Sequence, residues 1–331
     1  MTQSPPDISA LVAGIRRGER RALAKAITLI ESHRPQDDIA ARHLLAALSP
    51  IPDTALRVAI SGPPGVGKST LIEALGLQAV ARHLRTAVLT VDPSSRLSGG
   101  SILGDKTRMS RLSIHPLAFI RPTPAGETLG GVARRTRETM QLMEAAGFDL
   151  LLVETVGVGQ SETEVADMVD IFVLVLQPNA GDELQGIKRG IMERADIVLV
   201  NKADGVAIPA AELTCAQVDA ALALRGAVAS AWQPRTVAVS ALEERGMAET
   251  LDMFTTFRYT MTASAAWQNK RQVRNTAWMW DRVREGLLTR LLANDTVQNV
   301  LAELEPMVHN GELGPVEAAE RLLDVFVGSG N

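Results

Sequence analysis

The sequence predicts a doubly wound α/β domain with a mostly parallel sheet and helical extensions at both ends. Short runs of consecutive apolar residues recur through the middle of the chain, and helix-like stretches separate most of them. Such runs are typical of parallel strands buried on both faces, because right-handed crossovers place helices over each face of the sheet. The two ends of the chain show helical periodicity instead of strand patterns.

The N-terminal helical extension is predicted at residues 1–52. Apolar residues recur there at helical spacing from Ile8 to Leu48, and Pro50 and Pro52 close the stretch. The α/β domain follows at residues 53–260. Its expected strands lie at residues 56–61, 87–91, 117–120, 150–153, 171–176, 197–200 and 236–239.

The C-terminal part, residues 261–331, is predicted to be a helical arm. Asn294 and Asp295 indicate a break before a helix at 297–304, and residues 311–315 separate it from a last helix at 316–327. One apolar helical face precedes this break and is formed by Val273, Ala277, Trp280, Val283, Leu287 and Leu291.

The composition excludes several classes of protein. With 331 residues and a formal net charge of −4, the chain lacks the basic surplus of a nucleic-acid-binding protein. Its single cysteine, Cys215, rules out an intramolecular disulfide framework and favours a reducing compartment. A continuous apolar run long enough to span a membrane does not occur, and the N-terminus has no signal-peptide pattern. We therefore expect a cytoplasmic protein that binds neither membrane nor nucleic acid.

A glycine-rich turn between the first strand and a helix has the spacing of a phosphate-binding loop. Glycines let main-chain N–H groups approach phosphates closely, and Lys68 adds a positive charge at the helix N-terminus. Ser69 is placed to bind Mg²⁺. The residues expected to hold the phosphates are Gly62, Pro63, Pro64, Gly65, Val66, Gly67, Lys68, Ser69 and Thr70.

Mg²⁺ beside a triphosphate requires hard oxygen ligands, which should lie at the carboxyl ends of neighbouring strands. Asp92 and Glu154 each follow a predicted strand, and Asp105 lies in the glycine-rich connection 98–109. Each of the three carboxylates has the alternative role of capping a helix. After Glu154 the chain turns at Gly157, whose N–H is suited to contact the γ-phosphate and to sense its hydrolysis.

A second motif, Asn201-Lys202-Ala203-Asp204, follows the strand at 197–200. Asp204 is able to accept two hydrogen bonds from guanine, whereas adenine would leave that carboxylate unpaired. Lys202 is expected to pack over the base, and Asn201 to tie this loop to the phosphate loop. Ser240, Ala241 and Leu242, which follow the last strand, are the expected companion loop for guanine O6. The sequence therefore predicts a GTP- and GDP-binding enzyme.

With these motifs in place, residues 8–291 resemble the methylmalonyl-CoA mutase-associated GTPases, the MeaB and ArgK group of metallochaperone-like P-loop GTPases. The resemblance rests on the sequences SGPPGVGKST (61–70), VDPSS (91–95), GGSILGDKTRM (99–109) and ETVGVGQSE (154–162). It implies a GTP-dependent chaperone for the adenosylcobalamin enzyme methylmalonyl-CoA mutase, which assists cofactor loading, protection and reactivation. It leaves open whether cobalamin adenosyltransferase joins the complex.

The same resemblance implies a Mg²⁺ site at Ser69, Asp92, Asp105 and Glu154, and a homodimer formed through the C-terminal arm. Packing of that arm within one chain is the alternative. For catalysis we expect Lys68, Glu154 and Mg²⁺ to neutralise charge on the transferred phosphoryl group. We hypothesise that Lys188, in the connection 177–189, is brought to the γ-phosphate by a partner; a solvated helix charge is the alternative. The attacking water is expected to be positioned by Gln160, by Glu162 or by a main-chain group, and the sequence does not decide among these three.

Three other functions are open to a phosphate-loop protein of this kind. A nickel-type metal-insertion GTPase requires clustered imidazole or thiolate ligands, and the five histidines and one cysteine are scattered. A P-loop protein kinase usually recognises adenine, which the motif 201–204 disfavours. A protein-targeting GTPase requires a methionine-lined helical module, which the sequence does not show.

Overall fold

We describe the protein from a computed structural model, which describes residues 6–32, 34–92, 109–124, 129–155, 160–179, 189–223 and 231–328. The chain divides into two compact units, Met1–Gln268 and Asn269–Asn331. The first unit contains the sheet and the second is helical.

Seven parallel strands form one sheet, which confirms the predicted doubly wound fold. The strand order is β3-β2-β4-β1-β5-β6-β7. The first strand therefore lies at the centre, between β4 and β5, and the chain crosses from one side of it to the other. Ligands of such sheets bind where the strand order reverses, at the carboxyl ends of the strands. The strands are β1 Leu56–Ser61, β2 Thr86–Asp92, β3 Ala118–Pro124, β4 Leu150–Thr155, β5 Ile171–Leu176, β6 Ile197–Val200 and β7 Arg235–Ala238.

The strand bounds agree with the sequence patterns except at β3. That strand was expected to end at residue 120, yet it continues through Pro122 to Pro124 and pairs with β2 along this length. Proline lacks the N–H that a strand inside a sheet uses for pairing. The prolines are accommodated in β3 because it is an outer strand.

Helices cover the sheet and form both ends of the chain. Two short helices, α5 and α8, begin where the predicted connections 98–109 and 177–189 end. The helices of the first unit are α1 Ile8–Arg16, α2 Arg20–Glu31, α3 Pro35–Leu48, α4 Lys68–Ala81, α5 Ser110–Ser113, α6 Leu129–Ala145, α7 Gln160–Ala166, α8 Arg189–Met192, α9 Ile208–Ala223 and α10 Met247–Ala263. They are followed by α11 Ala266–Leu292, α12 Asp295–His309 and α13 Pro315–Gly328.

Alternating side chains of the strands build two apolar clusters, one on each face of the sheet. On the face that we call the α4 face, Val58 and Ile60 of β1 pack with Leu71 and Leu75 of α4. On the other, the α7 face, Ala59 of β1 lies in one cluster with Val165 of α7 and with buried residues of the N-terminal extension, including Leu23 and Ile27. The extension is therefore part of the core of the first unit.

One helical segment, Gly205–Ala223, has the length and the mean hydropathy, 1.3, of a membrane-crossing helix. It includes a 3₁₀ turn and α9, and it carries Glu212 and Asp219. Ala211 and Val218 are buried in the cluster of the α7 face, together with residues of β6. In this structure the segment is thus a helix that covers the sheet.

The second unit contains a helical hairpin with its own small core. Leu304, Leu313 and Ala318 are buried there, between α12 and α13. The side chain of Asn294 caps α12 by accepting hydrogen bonds from the N–H groups of Thr296 and Val297, at 3.0 and 3.2 Å. This cap explains why the sequence pattern broke at residues 294 and 295.

Candidate functional site

The loop between β1 and α4 has a main-chain path that depends on glycine. Gly62 has φ 152° and approaches β5 so closely that a Cβ would lie 2.2 Å from the carbonyl oxygen of Val175. Gly67 has φ 91°, and a Cβ there would lie 2.8 Å from Nδ2 of Asn201. Both glycines therefore let the loop approach β5 and the loop that contains Asn201.

Lys68, the first residue of α4, lies over this loop with only 8% of its surface exposed. Its Nζ donates hydrogen bonds to the carbonyl oxygens of Gly62 and Pro63, at 2.7 and 3.0 Å. Burial lowers the pKa of Lys68, and the charges of Glu154 and Glu162 oppose that shift. The ammonium group is thus held at the N-terminus of α4, where main-chain N–H groups and the helix dipole also favour an anion.

Next to Lys68, a hydroxyl and a carboxylate meet on the α4 face of the sheet. Ser69 Oγ donates a hydrogen bond to Glu154 Oε1 at 2.8 Å. A hydroxyl and a carboxylate at this distance suit Mg²⁺, which takes few protein ligands and keeps several waters. Asp92 ends β2, the neighbour of β4, so its main chain lies at the same edge of the sheet. The Asp92 side chain and the whole of Asp105 lie outside the described residues.

Asn201 connects the second motif with the phosphate loop. Its side chain is 2% exposed; Nδ2 donates to the carbonyl oxygen of Val66 at 2.8 Å, and Oδ1 accepts from the N–H of Ala241 at 3.0 Å. One amide group thereby joins three loops at the carboxyl edge of the sheet. The next residue, Lys202, is exposed and has φ 61°, a left-handed conformation that is uncommon outside glycine.

Asp204 is oriented by the side chain of Ser240, a role that the sequence pattern did not predict. Ser240 Oγ donates to Asp204 Oδ2 at 2.8 Å and accepts from the N–H of Glu243 at 3.1 Å. Ser240 was expected only as part of a loop that uses its main chain. Leu242, the third residue of that loop, has an exposed side chain.

A second buried pair was not predicted from the sequence. Ser61, the last residue of β1, donates from Oγ to Glu162 Oε1 of α7 at 2.8 Å. Glu162 was one of the candidates for positioning the attacking water. In the structure its carboxylate instead accepts a hydrogen bond from Ser61. On β4, the hydroxyl of Thr155 is also buried, and among the described residues it has no hydrogen-bond partner.

Several predicted residues belong to stretches that lie outside the described residues, namely Asp105, Gly157 and Lys188. Gln160 is described only as the first residue of α7, without its side chain. Within the described residues, no group of three or more histidine, cysteine, aspartate or glutamate side chains is arranged to hold a metal ion.

The geometry thus brings together a phosphate loop with a buried lysine, a hydroxyl–carboxylate pair and an oriented aspartate on a base-binding loop. Main-chain N–H groups and an ammonium ion suit the phosphates, and Asp204 offers acceptors to a purine that carries N–H donors. These are the parts needed to bind a guanine nucleotide and to neutralise charge during phosphoryl transfer.

Comparisons with known proteins agree with this chemistry. The model of the family described as methylmalonyl Co-A mutase-associated GTPase MeaB matches residues 23–296. A protein of Mycobacterium tuberculosis named as a probable GTPase is 50% identical, over 96% of this chain and 95% of its own length. The mitochondrial methylmalonic aciduria type A homolog of Mus musculus is 44% identical, over 96% of this chain and 79% of its own.

A solved structure described as LAO/AO transport system kinase has the same fold along most of its length. Its TM-score is 0.72 at 36% sequence identity, and the match covers 96% of each chain. The match includes the helical ends as well as the sheet.

Proposed function

Because the chain belongs to the family of methylmalonyl Co-A mutase-associated GTPases, MeaB, we propose that it is a Mg²⁺-dependent GTP-hydrolysing chaperone of methylmalonyl-CoA mutase. The main support for nucleotide binding is the hydrogen bond between Asn201 and Val66, which joins the proposed base-binding loop to the phosphate loop. The chaperone part rests on the family description and on the relationship with the mouse protein.

In this proposal the phosphate loop and the base loops hold GTP or GDP. The residues that bind the nucleotide are Gly62, Pro63, Pro64, Gly65, Val66, Gly67, Lys68, Ser69, Thr70, Gly157, Asn201, Lys202, Asp204, Ser240, Ala241 and Leu242. Lys68 exchanges its bonds to the loop carbonyls for phosphate oxygens. Asp204 accepts from the guanine N1–H and amino groups, and Ser240 keeps the carboxylate oriented.

Four oxygen-bearing residues would hold the metal: Ser69, Asp92, Asp105 and Glu154. The 2.8 Å contact between Ser69 and Glu154 supports this assignment, because Mg²⁺ binds such hard donors. Bound there, Mg²⁺ would supply charge neutralisation for the phosphates. Lys68 neutralises charge on the same phosphates, and the loop N–H groups fix their orientation.

Lys188 is proposed to act when the partner is bound. A cation added to the γ-phosphate stabilises the transition state by a factor of about 10³ to 10⁵ in other phosphoryl-transfer enzymes. Mutase-stimulated GTP turnover of Lys188→Ala should fall towards the basal rate, while its unstimulated rate stays close to that of the wild type. Equal stimulation of both proteins would remove Lys188 from the mechanism.

The mutase role is tested by affinity capture of purified methylmalonyl-CoA mutase on this protein. The capture is done with a non-hydrolysable GTP analogue, with GDP and without nucleotide, each with Mg²⁺. We expect complex formation that depends on the nucleotide. Cobalamin adenosyltransferase is added in a further arm to determine whether it joins the complex. A lack of mutase capture in all three states would end the chaperone assignment and leave GTP hydrolysis to be judged by the turnover assay.

The arm formed by residues 261–331 is proposed to make a homodimer. Trp280 and Leu287, on the apolar face predicted from the sequence, are 52% and 51% exposed in the single chain. Large apolar side chains exposed together on one helix favour a protein contact. The proposed organisation thus has three parts: the N-terminal extension at 1–52, the nucleotide-binding domain at 53–260 and this arm. The proposed location of the protein is the cytoplasm.

A further inference from the structure

Two hydroxyl–carboxylate bonds flank the phosphate loop. Before the loop, Ser61 donates to Glu162, and after Lys68, Ser69 donates to Glu154; both distances are 2.8 Å. Glu154 belongs to β4 and Glu162 to α7, which is the next described element along the chain. Each end of the phosphate loop is therefore bonded to one side of the same connection between β4 and α7.

The two bonds lie on opposite faces of the sheet. Val58 and Ile60 of β1 belong to the α4 face and Ala59 to the α7 face, so the alternation of the strand directs Ser61 to the α7 face. By the same alternation, Leu152 of β4 places Glu154 on the α4 face. One bond thus joins the end of β4 to α4 on the α4 face, and the other joins α7 to the end of β1 on the α7 face.

The bonds also differ in their relation to the proposed metal. Ser69 and Glu154 belong to the proposed Mg²⁺ ligands. Ser61 and Glu162 lie outside that set. Ser61 is fully buried and Glu162 is 4% exposed. A carboxylate so deeply buried requires a hydrogen-bond donor, and the Ser61 hydroxyl provides one.

We propose that Glu162 is a positioning residue for phosphoryl transfer, because its bond to Ser61 fixes helix α7 against the strand that leads into the phosphate loop. The proposal rests on the proposed GTP hydrolysis, and Glu162 acts through Ser61 without touching the reacting atoms. The bond thereby acts on the placement of the groups that surround the γ-phosphate.

Catalysis depends on this placement more steeply than nucleotide binding does. A misplacement of about 1 Å is able to reduce a rate by about 10²-fold. Nucleotide affinity, in contrast, is distributed over the N–H groups of the loop, Lys68 and the base-binding loop. Loss of the Ser61–Glu162 bond should therefore lower kcat while the affinity for nucleotide is largely kept.

The experiment compares the full-length wild-type protein with Glu162→Ala, Ser61→Ala, the double variant and Glu162→Gln. Measured are kcat for GTP at saturating Mg²⁺, Kd for a fluorescent GDP analogue and the midpoint of thermal unfolding. We expect kcat to fall by roughly 10- to 100-fold in Glu162→Ala and in Ser61→Ala, and Kd to change by less than about threefold. The double variant should lose no more than about the larger single effect, because both substitutions remove one bond.

Glu162→Gln separates positioning from charge and from folding. Glutamine keeps an acceptor oxygen of the same reach, so kcat should return to within about threefold of the wild type. If Glu162→Ala does not fold, the comparison of Ser61→Ala with Glu162→Gln still tests the bond. Ser32→Ala is the matched control, because Ser32 Oγ donates to Asp37 Oδ2 at 2.5 Å in the N-terminal extension.

The outcomes are distinguishable. A wild type without GTP turnover would overturn the proposed function and this inference together. An active wild type with a normal kcat in Glu162→Ala would overturn the inference alone. So would a loss of kcat matched by an equal loss of affinity, or a Glu162→Gln protein as slow as Glu162→Ala.

Discussion

The Nδ2 group of Asn201 donates a hydrogen bond to the main-chain oxygen of Val66, across 135 residues of sequence. The distance is 2.8 Å and both groups are buried. The same amide accepts from the N–H of Ala241. One side chain thus sets the spacing between the loop for the phosphates and the loops for the base, which must match the length of one nucleotide.

Substitution of Asn201 by alanine should weaken nucleotide binding and the fold together. It leaves the Val66 oxygen and the Ala241 N–H without this partner, at a cost of about 1–3 kcal/mol for each buried group. We expect Kd for GDP to rise by roughly 10- to 100-fold and the urea midpoint to fall. Asn310→Ala, at an exposed position in the second unit, is the control and should change neither value. Unchanged GDP affinity in Asn201→Ala would contradict the role of this bond.

Substitution of Asp204 by asparagine should change which base is bound. Aspartate accepts from two donors of guanine, whereas asparagine accepts from one and donates from its amide group. Xanthine offers an N–H beside a carbonyl oxygen, which matches asparagine. We expect GTP affinity to fall by at least about 10²-fold and xanthosine triphosphate to become the better ligand. Competition against a fluorescent nucleotide measures both affinities, and a variant that still prefers GTP would place guanine recognition elsewhere.

Substitution of Glu154 by glutamine should increase the concentration of Mg²⁺ required for GTP hydrolysis. The change removes the negative charge beside Ser69 but keeps an oxygen within reach of its hydroxyl. Because Mg²⁺ binds carboxylates much better than amides, half-maximal turnover should require about tenfold more Mg²⁺. Turnover is followed as phosphate release across a Mg²⁺ titration. Ser113→Ala, at a half-buried serine of α5, is the control, and identical titrations for Glu154→Gln and the wild type would exclude Glu154 from the metal site.

Substitution of Trp280 by glutamate should shift the protein from dimer to monomer. Trp280 is a large exposed side chain on the apolar face of α11, and a charge there opposes burial at a contact. Light scattering coupled to size-exclusion chromatography gives the mass. Tyr259→Glu on α10, where the tyrosine is 77% exposed, is the control that should keep the dimer. A dimer of unchanged mass in Trp280→Glu would show that another surface joins the subunits.

Alkylation of Cys215 should be slow at neutral pH and should accelerate steeply in alkaline solution. Burial, with the charges of Asp219 and Glu212, raises the pKa of this thiol from 9.0 to about 11. Only the thiolate reacts, so at pH 8 the folded protein should react about 100-fold more slowly than the urea-unfolded chain. A raised pKa also means that the folded state holds the proton more tightly than the unfolded state. Stability should therefore decline between about pH 9 and 11.

The labelling rate is measured by mass spectrometry with iodoacetamide between pH 7 and 10. Since Cys215 is the only cysteine, Cys215→Ser gives the background. Equal rates for the folded and unfolded chains at pH 8 would show that folding does not raise the pKa of the thiol.

The sequence predicted what depends on local pattern and on spacing along the chain. The phosphate loop and the motif 201–204 each lie within a few residues, so their residue types alone indicated the nucleotide. The strand bounds followed from apolar runs, except at β3, where proline is tolerated because the strand is an outer one. The structure then confirmed the fold.

What the sequence could not give are pairings between distant residues. Ser61 and Glu162 are 101 positions apart, and the partner of a buried carboxylate depends on which face of the sheet each strand presents. The hydrogen bond from Ser240 that orients Asp204 also joins residues that are distant in the sequence. In both cases each residue lay inside a motif that the sequence analysis recognised. Their contact could not be predicted, because it depends on the register of the strands, which the sequence does not specify.

The prolines in β3 affect how copies of this protein can associate. Unpaired N–H and C=O groups along an outer strand invite a strand of another molecule, which is a common route to aggregation. Pro122 and Pro124 carry no N–H, so the carboxyl half of this strand is a poor template for strand addition. Strand addition by another molecule is thereby opposed at this border of the sheet.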